Sequence, residues 1–88
     1  MKQEPSFFEN REPVLIYIAR KLRDALRLEE ILNSAGVDYG VETDQYRGGV
    51  IFRTVRVGAF FYVPAEHAEV AREVLLRNSF TPSEDPPA

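Results

Sequence analysis

The stretch Ala59-Phe60-Phe61-Tyr62-Val63-Pro64-Ala65-Glu66 joins the end of a strand to the start of a helix. It closes a long β-rich run from Val50 to Val63. The odd positions Ile51, Val55, Val57, Ala59, Phe61 and Val63 make one apolar face, with Arg53 the exception. The even positions Phe52, Arg56, Phe60 and Tyr62 make a second, aromatic one. Gly58 marks a bulge or bend within the run. Pro64 has its φ preset for a first helical turn, Glu66 complements the helix dipole, and Val70, Ala71, Val74 and Leu75 are expected to face inward.

Upstream, Gly48-Gly49 supplies a turn spanning Gln45 to Gly49, preceded by an alternating strand from Val37 to Thr43. From Leu22 to Ala35 the residues Leu22, Ala25, Leu26, Leu28, Ile31, Leu32 and Ala35 fall on one helical stripe. Ala35-Gly36-Val37 ends that helix, with Gly36 free to take the left-handed conformation and Val37 to fold back. Val14-Leu15-Ile16-Tyr17-Ile18-Ala19 reads as a first, central strand. Phe80-Thr81-Pro82 is placed to add a short fourth strand at the edge. The order is β-α-β-β-α(-β). It predicts an α+β, ferredoxin-like two-layer sandwich whose antiparallel sheet carries two helices on one face. Residues 1–12 read as a flexible lead-in with Phe7-Phe8 its only sticky element, 13–82 as a single domain, and 83–88 as a disordered acidic tail.

With 88 residues and no cysteine, the chain has neither disulfides nor a thiolate metal site to staple it. A folded part of about 70 residues buries only roughly 60% of its unfolded surface, so stability must come from packing or self-association. No run approaches the roughly 20 apolar residues of a membrane span, and the start lacks a signal peptide, which points to the cytoplasm. The net charge of −3 comes from the ends. The flanks hold five acids and two bases, whereas Pro13 to Pro82 holds nine of each. A neutral folded part argues against nucleic-acid binding driven by bulk charge.

The opening strand, the helix-closing Leu32-Asn33-Ser34-Ala35-Gly36-Val37, the Gly48-Gly49 turn and the run from Phe61 through Val63-Pro64-Ala65-Glu66-His67 to Ala71 resemble a bacterial family. It is that of the small prokaryotic signal-transducing proteins, a domain of unknown function. The likeness covers about residues 13 to 77 and is most specific at Ala35-Gly36-Val37 and at Val63-Pro64-x-Glu66. His67 stands where the family often has an acid. The resemblance implies a ferredoxin-like fold, related in architecture to the PII nitrogen regulators, and a role in signal transduction. The nucleotide-gripping loop of the PII proteins has no counterpart in the short Gln45 to Gly49 connection, so no effector site carries over.

Catalysis has little to work with. His67 is the only histidine, and its spacing from Glu66 and Glu69 splays the three around a helical turn, so no metal is expected there. Ser6, Ser34, Ser79 and Ser83 have no histidine at motif spacing, and neither a phosphate-binding P-loop nor the anion loop of acylphosphatases is present. The chain reads as a noncatalytic module without cofactor or metal.

In a two-layer fold one sheet face is left bare. Here Phe52, Arg56, Phe60 and Tyr62 would line it, joined by Leu15 and Tyr17 or by their neighbours on the first strand. The set Tyr17, Phe52, Arg56, Phe60 and Tyr62 is the expected binding or dimer face. A second copy in a homodimer is the favoured occupant, ahead of another protein or a small effector. The alternative is single-stranded RNA stacked on Phe52, Phe60 and Tyr62, although Arg56-Val57-Gly58-Ala59-Phe60 fits the RNA-recognition consensus poorly. The bases Arg20, Lys21, Arg23 and Arg27, with Arg47 and Arg56, form a further cluster that reads as a solvated face.

Overall fold

A computed structural model of the protein describes residues 1–47 and 55–82. The Gly48-Gly49 turn, the beginning of the long β run with Phe52, and the acidic tail lie outside the described residues. Strand β1 spans Pro13–Ala19, helix α1 Leu22–Ser34, β2 Gly40–Arg47, β3 Val55–Pro64 and helix α2 Ala68–Arg77. Short 3-10 turns occupy Pro5–Phe8 and Ala65–His67. The strands form one sheet in the order β1-β3-β2, antiparallel at both junctions. No helix among the described residues is long and apolar enough to cross a membrane.

One cluster of buried side chains joins Ile16 of β1 and Phe61 and Val63 of β3 to both helices. It includes Ala25, Leu28 and Leu32 of α1 and Ala68, Ala71 and Leu75 of α2. Both helices therefore cover the same face of the sheet, the one formed by the odd positions of β3. The helical stripes are narrower than their periodicity suggests. Leu22 and Leu26 remain 75% and 57% exposed and Val70 52%, while Ala68, at the start of α2, is buried. The reason lies in the widths. Three strands spaced about 4.8 Å apart offer roughly 10 Å between outer axes, about the diameter of one helix, so two helices overhang the sheet.

The end of α1 follows its sequence signal. Gly36 sits at φ +70°, its N–H donates to Asn33 O, and the Val37 N–H donates to Leu32 O at 3.0 Å. That is a complete Schellman motif, and its apolar pair, Val37 and Leu32, lies in the core. Gln45 and Tyr46 do not turn the chain. They pair with Val57 and Arg56, so β2 runs on to Arg47. Gly58 pairs regularly with Asp44, and the bulge lies in β1 instead, where the register shifts between Leu15 and Tyr17. Phe80-Thr81-Pro82 forms no strand, because Phe80 folds back and meets Tyr17 edge-on at 5.3 Å between ring centroids.

The edge contact comes from the other terminus. Lys2 bridges Tyr39 in parallel, with Gln3 N donating to Tyr39 O and Tyr39 N to Met1 O. The Met1 amino group also donates to Val37 O. Residues 1–12 thus form a strap that begins beside β2 and ends at β1. Its Lys2 ammonium lies 3.6 Å from Glu29 of α1, the carboxylate that also accepts the Tyr39 hydroxyl at 2.9 Å. Asn33 donates to the same hydroxyl at 3.2 Å, and the Tyr39 ring stacks on Phe61.

Burial, together with the bond to the Glu29 carboxylate, pushes the Tyr39 phenol up from 10.0 to about 12. A phenol that holds its proton more tightly when folded adds stability that is fully present below pH 10 and lost as pH rises to about 12. Tyr39→Phe is expected to cost about 1 to 2 kcal/mol at neutral pH, because the ring contact survives and only the hydroxyl bonds are lost. Urea unfolding followed from pH 8 to pH 12 should show a shallower alkaline decline in the variant. Parallel profiles would refute the assignment.

Candidate binding site

The bulge decides which residues of β1 face away from the helices. Leu15 pairs with Tyr62 and Ile18 with Phe60, whereas Val14 pairs with Val63 and Tyr17 with Phe61. Ile16 is the extra residue, and both it and Tyr17 pack on the helix-side core. A bulge sets two residues of one strand against one of its partner, and here it turns consecutive side chains to the same side. Tyr17 is thereby removed from the expected binding face. That face carries Leu15 and Ile18, one from each alternating set of the first strand.

On this face Leu15, Ile18, Phe60 and Tyr62 are all half-buried. From β2 come Gly40, opposite Tyr62, and Glu42, opposite Phe60. Of the anticipated set, Phe60 and Tyr62 are brought together, Arg56 stands farther along the ladder opposite Tyr46, and Phe52 lies outside the described residues.

The strap crosses one end of this face. A Cβ added to Gly40 would lie 2.6 Å from Phe8 Cε2, so the Phe8 ring rests where any other residue of β2 would place its side chain. Phe7 meets Phe8 edge-on and is covered on its other side by the Arg11 guanidinium, 4.2 Å from the ring centroid. The lead-in is therefore docked, because its aromatic pair finds a seat that glycine leaves open. Between strap and sheet remains a cavity of about 430 Å³ walled by Pro5, Phe8, Pro13 and Tyr62, with Gly40 and Glu42 on the β2 side.

Two sequence signals for this site were available. They are an aromatic pair in a polar lead-in and a glycine inside an alternating strand, which marks a close approach of other groups. Neither says that the two meet.

The remaining candidates do not converge on chemistry. Glu66 and Glu69 are exposed, while the Nδ1 of His67 is enclosed without a hydrogen-bond partner. His67 therefore makes no capping bond at the start of α2. Among the described residues no three His, Asp or Glu side chains gather as metal ligands. Arg20, Lys21, Arg23 and Arg27 are exposed at the start of α1, with Arg27 3.6 Å from Glu30.

No family model, curated protein or solved structure matches the chain.

The contact between Phe8 and Gly40 predicts a reversal of sign. Gly40→Ala forces the Phe8 ring aside and should destabilise the wild type by about 1 to 2 kcal/mol. In a Phe8→Ala background the same change should be neutral or stabilising by up to about 1 kcal/mol, as alanine is preferred to glycine within a strand. Hydrogen exchange at the Gln3 amide, bonded to Tyr39 O, should be faster in Gly40→Ala than in the wild type. An equal cost in both backgrounds would show that Phe8 does not occupy the seat.

Proposed function

We propose that the chain is a noncatalytic binding or regulatory module of ferredoxin-like β-α-β-β-α architecture, acting in the cytoplasm as a homodimer through its open sheet face. The architectural part is supported by strand direction. β1 and β2 are each antiparallel to β3, hence parallel to one another, and α1 connects them with β3 in between. These directions are the ones a split β-α-β arrangement requires. A role in signal transduction rests on the resemblance of Ala35-Gly36-Val37 and Val63-Pro64-x-Glu66 to the small bacterial signalling family.

The observation that carries the binding reading is the asymmetry of the sheet. Both helices cover the face of Phe61 and Val63, while Leu15, Ile18, Phe60 and Tyr62 share the opposite face, one end of which the strap crosses. Apolar side chains left half-covered on a chain this small favour association, which removes them from water at roughly 25 cal/mol per Å². A two-fold axis lets one patch complement itself, and no other part of the chain need change.

Sedimentation equilibrium over a range of concentrations tests this reading. The wild type should be a dimer, and Ile18→Lys and Phe60→Ala should shift the mass toward the monomer, the lysine more strongly. A wild type that stays monomeric throughout would remove the homodimer and leave the face to a different partner.

A further inference from the structure

We propose that the cavity between the strap and the sheet binds a small amphiphilic cation, a flat aromatic or apolar body carrying a protonated amine. Half of its lining is flat and stiff. The Phe8 and Tyr62 rings and the Pro5 and Pro13 rings, together with Gln3, Gly40, Val41 and Glu42, line an open-sided space of about 430 Å³. That volume lies within the roughly 300 to 1,000 Å³ typical of small-ligand sites. Aromatic and proline rings lose little conformational freedom when a ring packs on them, so the cavity favours a flat guest. Gly40 sets its depth, since the missing Cβ lets the strap approach the sheet without closing over it.

Charge selects the guest further. Among the described residues Glu42 is the one charged residue of the cavity wall; it is exposed at its rim, and no described cation pairs with it. The strap's own cations are engaged elsewhere. Lys2 lies against Glu29, the Met1 amino group against Val37 O and Asp38, and Arg11 covers Phe7 while donating to its carbonyl. An ammonium group thus meets a carboxylate beside aromatic faces that themselves attract cations, whereas a carboxylate of the same shape meets like charge.

This inference does not depend on the homodimer, which is read from molecular mass. The test is a titration of the full chain with tryptamine and, separately, with indole-3-propionate, followed by amide chemical shifts. Tryptamine should shift Phe8, Gly40 and Glu42 with a Kd on the order of 1 mM, as suits about a dozen non-hydrogen atoms. The acid should bind at least roughly tenfold more weakly. Glu42→Gln changes a rim residue without touching the core and should weaken tryptamine roughly three- to fivefold, as should raised salt. Equal affinity for amine and acid, shifts that map away from Gly40 and Glu42, or no shifts at all would overturn the proposal.

Discussion

The sheet of this fold depends on β3 being paired along both edges. Phe61 occupies the middle of that constraint. It lies opposite Tyr17 on one side and Val41 on the other, has no exposed surface, and stacks on Tyr39. Side chains alternate along a strand, so a slip of one residue would send Phe61 and Val63 to the open face and drive Phe60 and Tyr62 under the helices. The buried face would then meet the Tyr62 hydroxyl without a designed partner, and the Pro13 to Pro64 match at the sheet end would be lost. Register, core and open face are consequently set together by one strand.

The helix-side face of β3 was legible because Ala59, Phe61 and Val63 alternate in a stretch where every other residue points away. The first strand was not. Val14 to Ala19 is apolar throughout, so no polar residue marks which side chain faces which way, and a bulge leaves no trace in such a run. The structure resolves the ambiguity by placing Ile16 and Tyr17 on one side, where Tyr17 meets Phe80. The open face then takes Leu15 and Ile18, a spacing of three that the period-2 pattern of a strand would not select. The extent of α1 and its Gly36 stop were readable from local chemistry, whereas α2 begins at Ala68, one 3-10 turn later than the Pro64 start predicts. The exposure of Leu22, Leu26 and Val70 was not readable, because it depends on how much sheet is available to cover, a quantity that no single helix encodes.

The strap was the least legible element. Its hydrogen bonds run to Val37 and Tyr39, far away in sequence, and its aromatic pair is seated by a glycine rather than by a matching apolar residue. Composition alone describes such a segment as loose. Long-range backbone pairing overrides that description when a strand edge is open and a flat ring has a place to rest.

Tyr39 and Gly40 are neighbours that point to opposite faces, and this links the strap to both layers at once. Tyr39 reaches through the core to Glu29 and Asn33, while Gly40 receives Phe8 on the far side. Lys2 closes the circuit by approaching the carboxylate to which Tyr39 donates. Detaching the strap would therefore uncover the open face and also take from Glu29 the cation beside it. The cavity exists only while the strap is docked, since Gln3, Pro5 and Phe8 of its lining belong to the strap. A ligand held there binds the docked state alone and stabilises it by mass action, in proportion to its concentration over its Kd.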